Sequence, residues 1–441
     1  MRNLPNGWIK VPLQQCANIN MGQSPEGKYV SENKDGLPFY QGKAEFGKTY
    51  PIPRKFCTKP TKIAQQNDIL LSIRAPVGPT NLCPDESCIG RGLAGIRAHD
   101  GVSQQYLLKY FKHIEPWLSQ QGTGSTFKAI SGGFLSDVGV LIAPLNEQIR
   151  IADKLDSLLA KVDAAQARLE KIPTLLKRFR QSVLAAATSG ELTREWRNTN
   201  GIGFDEWTWK KLSDIAEIQG GITKDSKKQS NDDEEVPYLR VANVQRGYLD
   251  LKEIKTIRIP KSKLDKLLLV DGDVLFNEGG DIDKLGRGWI WESQIDRCSF
   301  QNHVFRARLF DSKNHPKYVS WWGNTEGFEY FIRQGKQTTN LASINKTILC
   351  NLPINMPSPE EQTEIVRRVE SLFSQADAVE KQYLAAKQRL DRLSQALLAK
   401  AFRGELVPQD PNDEPAAELL KRIQAERTTL TPTRRQRNQS S

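Results

Sequence analysis

The 441-residue chain is poor in metal ligands and in catalytic histidine. Its six cysteines (Cys16, Cys57, Cys83, Cys88, Cys298 and Cys350) include no Cys-x2-Cys pair. Its four histidines (His99, His113, His303 and His315) include no His-x3-His pair. Both absences argue against a structural metal. With so few histidines, no Ser/His/Asp set stands out either. No run approaches 18 apolar residues, so no membrane span is expected. The opening stretch, Met1 to Trp8, lacks the apolar core of a secretory signal. Scattered cysteines fit reduced thiols, and the expected location is cytoplasmic.

What the chain has in excess is positive charge and exposed polarity. Lysine and arginine outnumber aspartate and glutamate 63 to 52, for a net charge of +11. The mean hydropathy is -0.54 and the pI about 9.2. An acidic partner is expected, nucleic acid first. The length suggests roughly three domain-sized units.

The pattern that organises the chain is a repeat. Glu147-Gln148 … Ser189-Gly190-Glu191-Leu192 returns as Glu361-Gln362 … Arg403-Gly404-Glu405-Leu406, at a constant offset of 214. Both copies carry apolar residues in 3-4-3-4 spacing over about four heptads. In the first, the seam runs through Leu155, Leu158, Val162, Leu169, Leu176 and Phe179. In the second, it runs through Val369, Leu372, Tyr383, Leu390, Leu393 and Leu397. Strict heptads of this length predict paired long helices rather than ordinary core helices. Asn146 is an expected N-cap, and Ser358-Pro359-Glu360-Glu361 reads as a capping box with Pro at the first helical position. Gly190 and Gly404 fall where the helices should stop. Pro173 should kink the first copy.

Between the helices lie two blocks of short strand-like runs broken by Gly/Pro turns, read as α/β or α+β domains. Residues 1–144 form the first and 207–357 the second. The spacer helices take 145–190 and 358–407, a polar linker takes 191–206, and a polar basic tail takes 408–441, with a short helix possible over Glu414–Glu426. The blocks echo one another faintly: Asn67-Asp68-Ile69-Leu70-Leu71 matches Asp271 to Phe276 in pattern. Within each half the helix repeats better than the block. The fold expected is therefore two α/β (α+β) domains in tandem, each followed by a long α-helix.

Gly42 to Thr49 matches the phosphate-loop pattern letter for letter, but Pro51 and Pro53 forbid the helix that must follow. Gly90-Arg91-Gly92 and the glycine-rich run Gly279 to Gly288 could equally cradle a phosphate or make tight turns. No Asn-Pro-Pro-aromatic or Asp-Pro-Pro-Tyr stretch, the usual signature of a base-modifying amino-methyltransferase, is present, and no carboxylate-plus-lysine nuclease cluster emerges. The chain reads as a reader of DNA rather than a catalyst. Duplex recognition needs cations for phosphates and Arg, Asn, Gln or His for base edges. In the first block the candidates are Gln41, Lys43, Arg74, Arg91, Ser125, Thr126 and Lys128. In the second they are Arg240, Asn243, Arg287, His303, Thr339, Asn340, Asn345 and Lys346.

The run Leu169 to Leu184 resembles the central conserved region of type I restriction–modification specificity (S) subunits, as does Gln362 to Leu406. Tyr238–Val244 and Thr339–Asn345 look like that family's target-recognition domains. The resemblance implies two such domains, each reading one half of a bipartite asymmetric DNA site. It also implies that the two helices pair as an antiparallel coiled coil that fixes the spacer. No active site or cofactor is implied for the chain itself. The expected partners are double-stranded DNA, two modification subunits that bind S-adenosylmethionine, and restriction subunits that use ATP and Mg. The alternative reading is a coiled-coil scaffold that binds DNA non-specifically.

Overall fold

The structure is a computed structural model that describes residues 4–122, 129–223, 233–337 and 342–430. The chain divides into two compact units, 1–170 with 384–441, and 171–383. Ser125, Thr126, Lys128, Thr339 and Asn340 lie outside the described residues.

The first unit holds three sheets, the smallest pairing Ile9–Pro12 with Gly139–Ile142. The four-stranded one has the order Ala17–Met21, Leu93–Ala98, Ile69–Ser72, Thr80–Leu82, antiparallel throughout. In the five-stranded one, Leu37–Tyr40 runs parallel to Ser87–Ile89. The run Ile69–Ser72 is apolar on both faces, and all four residues are buried. Helix Gln104–Gln121 closes the core. Ser103 caps it by accepting from Tyr106 N, and its face Tyr106, Leu107, Tyr110 and Phe111 packs inward.

The second unit repeats this frame. Its four-stranded sheet has the order Ala216–Gly220, Val304–Leu309, Val274–Asn277, Gly288–Ile290. One of its two three-stranded sheets places Glu234–Leu239 parallel to Ser299–Phe300. The faint sequence echo has a physical reason. Asp68 accepts from Gln65 N at 2.8 Å and from Arg97 at 2.7 Å. Asp273 accepts from Val270 N and from Arg308, each at 2.8 Å. The same buried carboxylate pins the turn before the same central strand. Arg308 is held charged above its ordinary value by that hydrogen bond.

The repeated Glu-Gln is the anchor of each helix to its domain. Glu147 Oε2 accepts from Trp8 Nε1 at 3.0 Å, and Gln148 Oε1 accepts from Ser103 N at 2.8 Å. Correspondingly, Glu361 Oε2 accepts from Trp207 Nε1 at 2.8 Å and Gln362 Oε1 from His315 N at 2.8 Å. All four side chains are buried. Burial raises the pKa of Glu147, with the Trp8 hydrogen bond opposing the shift. Glu361 gains more: Thr193 Oγ1 donates to it at 2.6 Å, and so does the buried Arg197. The stretch read as a polar linker forms a turn, Glu191–Thr193, and a helix, Arg194–Asn200, that lock onto the second unit.

Several expectations about the helices need correction. The first copy is two helices, Leu145–Leu169 and Ile172–Thr188, because Pro173 can sit without a lost hydrogen bond only in a first turn. Asn146 does not cap: the helix starts at Leu145, and Asn146 donates to Asp413 at 3.1 Å. Ser358 does cap, accepting from Glu361 N at 3.2 Å, but the Glu361 carboxylate turns to Trp207 rather than completing the box. The second copy is one helix, Pro359–Ala401. Gly190 and Gly404 follow the helix ends with positive φ of 78° and 72°.

Within each unit the helices run antiparallel. In the first, Leu155 shares a core with Leu398 and Gln166 donates to Asp391. In the second, Val183 shares a core with Val369 and Arg180 donates to Asp377 and Glu380. The seam is buried only in places. Leu155, Val162, Leu176 and Val369 are buried. Leu158, Leu169, Leu372, Tyr383, Leu390 and Leu397 are half-buried, and Phe179 and Leu393 are exposed. Leu398, one position past Leu397, takes the buried place. The domains cover the helix ends, so burial there follows domain packing rather than the heptad.

The short helix expected over Glu414–Glu426 is present as Ala416–Leu430, and its Ala416, Leu419, Leu420 and Ile423 are buried in the core of the first unit. Ala416 N donates to Gly7 O at 2.9 Å. Among the described residues, no helix is long and apolar enough to cross a membrane.

Candidate nucleic-acid interface

Each unit has one parallel strand pair among its described residues, and the carboxyl ends of that pair open side by side. Side chains placed just beyond such ends converge, which is why ligands favour this place in sheets with parallel strands. In the first unit Gln41 follows Tyr40 and Arg91 follows Gly90. Gly90 N donates to Tyr40 O at 2.8 Å, and Leu93 N closes the turn onto Gly90 O at 3.0 Å. Gly92 is required here: a Cβ at this position would lie 2.0 Å from Gln41 O. Ile73 N then donates to Gly92 O at 2.9 Å, which brings Arg74 alongside. The buried Ser72 hydroxyl donates to Arg74 O at 3.1 Å and Pro76 O at 2.9 Å, shaping that loop.

The result is a cleft of about 280 Å³ lined by Ser24, Gln41, Lys43, Arg74 and Arg91. It continues over Ala75 and Pro76 as a shallower groove. Four of the seven residues expected to touch DNA in the first block are thus assembled in one place. Gln41, Lys43, Arg74 and Arg91 are all exposed. Among the described residues no salt bridge engages Lys43, Arg74 or Arg91, so this cleft is positive, with Glu115 acting on Lys43 at longer range. The phosphate-loop pattern at Gly42–Thr49 is not a phosphate cradle. Glu45 Oε2 already accepts from Gly42 N at 3.0 Å and Gln41 N at 3.3 Å, and no helix follows.

The second unit builds the same frame with different side chains. Gln301 N donates to Leu239 O at 2.8 Å, Val304 N to Gln301 O at 2.8 Å, and Glu278 N to His303 O at 2.9 Å. Matching these bonds to those of the first unit puts Arg240 where Gln41 stands, Asn302 where Arg91 stands and His303 where Gly92 stands. Arg240 Nη2 donates to Glu253 O at 3.1 Å and lies 3.4 Å from the Glu253 carboxylate. His303 Nδ1 lies 2.5 Å from Glu278 Oε2, and its Nε2 lies 3.3 Å from Asn302 Nδ2. Arg287 donates to Val241 O at 3.2 Å, and burial lowers its pKa. This turn of the second unit therefore presents buttressed, partly neutralised groups.

Two expected readers make local backbone bonds. Asn243 is 3% exposed, accepts from Arg240 N at 2.9 Å and donates to Asp250 O and Glu253 O. No group of its amide is left for a base. Asn345 caps the helix Lys346–Cys350 by accepting from Ile348 N at 2.8 Å, with exposed Lys346 following it. Short polar side chains favour such local backbone bonds. Ser24, Glu253 and Glu278 were not foreseen. Gly22 and Gly221, each pressed against the turn beyond the parallel pair, were the available signal for Ser24.

A cation-lined cleft beyond a parallel strand pair, and the same hydrogen-bond frame in a second unit, suit an anionic partner such as nucleic acid. The chain belongs to the type I restriction modification DNA specificity domain family, whose model matches residues 5–174 and 205–386. It is 31% identical to the StySPI type I restriction enzyme specificity subunit of Salmonella potsdam, over 96% of each chain. It is 30% identical to the EcoKI type I restriction enzyme specificity subunit of Escherichia coli strain K12, again over 96% of each. The crystal structure of the HsdS subunit from Thermoanaerobacter tengcongensis shares the fold, with a TM-score of 0.59 at 18% identity, covering 92% of this chain and 98% of that one.

Proposed function

We propose that the chain is the DNA sequence-specificity subunit of a type I restriction–modification complex. Each unit reads one half of a bipartite, asymmetric site through its cleft. The paired helices set the number of base pairs between the halves and dock two modification subunits, which restriction subunits join. Chemistry resides in those partners: S-adenosylmethionine on the modification subunits, ATP and Mg on the restriction subunits. The chain itself is non-catalytic and works in the cytoplasm.

The observation that carries this reading is one backbone frame that holds two chemically different sets of side chains. A protein that read one sequence twice would keep the same side chains on both frames. Two linked readers also sum their binding energies when the spacing matches the DNA. A bidentate base contact contributes about 1–3 kcal/mol of discrimination, so a few per unit reach the usual specific range.

The test is a selection of bound sequences from a random DNA pool, using the full chain co-purified with its modification subunit. A split motif with a fixed gap is the expected result. Binding without any motif would support the non-specific scaffold instead.

A further inference from the structure

The cleft of the first unit differs from the matched turn of the second in one respect that bears on which base it reads. Arg91 is mounted on a rigid crossing, flanked by Gly90 and Gly92. The Gly90 turn is hydrogen-bonded to Tyr40 O, and Gly92 is pressed against Gln41 O. Arg91 Nε donates to Ser24 Oγ at 3.4 Å. Its two terminal amino groups remain free and point as a fork, with no carboxylate among the described residues to claim them. A phosphate contact needs only a cation within reach. A fork held at its base, beside the amide of Gln41 and the hydroxyl of Ser24, has the composition of a base reader. Guanine is the base whose major-groove edge offers two adjacent acceptors, N7 and O6, to such a fork. The matched position in the second unit is Asn302, which cannot make that contact with the same reach or charge.

Resting on the function proposed above, we infer that Arg91 reads a guanine in the half-site of the first unit. Ser24 acts as its positioning residue, and Gln41 contacts the neighbouring base pair. Lys43 and Arg74, on the rim of the same cleft, bind the flanking phosphates.

The experiment is the same pool selection, run on the full chain with its modification subunit, for wild type, Arg91→Ala, Ser24→Ala, Ser24→Thr and Lys43→Ala. Arg91→Ala is expected to relax one guanine position by about 5- to 150-fold, in one half only. The other half, read by the second unit, should stay intact and so reports that the variant is folded. Ser24→Ala should relax the same position less, and Ser24→Thr should restore it. Lys43→Ala should weaken all sequences evenly and reduce the salt slope by about one. The inference is overturned if Arg91→Ala behaves as Lys43→Ala does, or if the position it relaxes is not guanine. A wild-type chain that selects no motif overturns the functional reading as well, whereas a wild-type split motif untouched by Arg91→Ala overturns only this inference.

Discussion

The two units share a hydrogen-bond frame beyond their parallel strands and differ in how the charges there are held. In the first, Lys43, Arg74 and Arg91 are exposed and make no salt bridge among the described residues. In the second, Glu253 holds Arg240 and Glu278 holds His303. The frame comes from main-chain bonds that many sequences can make. The reading surface comes from the residues just beyond strand ends, which can change without touching the core. Recognition can therefore diverge while the fold stays put. The anchors show the opposite economy: Glu147-Gln148 and Glu361-Gln362 make matching bonds to Trp8 and Trp207, and these residues repeat because the frame depends on them.

The sharpest way to break the comparison lies in those anchors. Glu361→Ala would strand the buried Arg197, and an uncompensated buried charge costs about 3–5 kcal/mol. Glu147→Ala removes a hydrogen bond to Trp8 with no buried arginine to strand, at about 1–3 kcal/mol. Urea unfolding of both variants should show the larger loss for Glu361→Ala, and equal losses would mean that the anchors are not asymmetric. A comparable contrast exists along the helix seam. Leu155→Ala, at a fully buried site, should cost about 2–5 kcal/mol, while Leu393→Ala, 41% exposed, should stay within about 0.5 kcal/mol.

Asn243→Ala sharpens the contrast between support and reading. It should lower stability by about 1–3 kcal/mol yet leave the base preference of its half-site unchanged in a pool selection. A changed motif at unchanged stability would return Asn243 to the readers.

The smallest effect is electrostatic. Hydrogen bonds from Arg367 and Arg368 hold Glu364 down at about 2. A depressed carboxylate adds stability above its unfolded value, near 4.5, and loses it as pH falls toward 2. Glu364 takes part in helical pairs that water screens, so the contribution is about 1 kcal/mol or less. The stability gap between wild type and Glu364→Gln should be present at pH 6 and close near pH 2. A gap that persists at pH 2 would assign it to packing.

Much of this was legible in the sequence, for physical reasons. The heptads and the Glu-Gln repeat reveal the paired helices, and Gln41, Lys43, Arg74 and Arg91 fall in Gly/Pro-punctuated loops where strands must end. The sequence could not separate Asn243 and Asn345 from readers, because a loop asparagine that caps backbone looks the same as one that meets a base. The split of the first helix was half legible. Pro173 announced a disturbance, but a kink and a fresh helix start satisfy the same local rule. The tail helix was missed as a packed element although Ala416, Leu419, Leu420 and Ile423 keep helical spacing, because its surrounding charge hid that face.

The measurement that bears most directly on the account is a domain exchange. Residues 1–144 are replaced by the corresponding block of a relative with a different specificity, and bound sequences are selected from a random pool with the modification subunit present. The account predicts that one half of a split motif changes while the other half and the gap between them remain. A change in both halves, or in neither, would contradict the claim that each unit reads its own half.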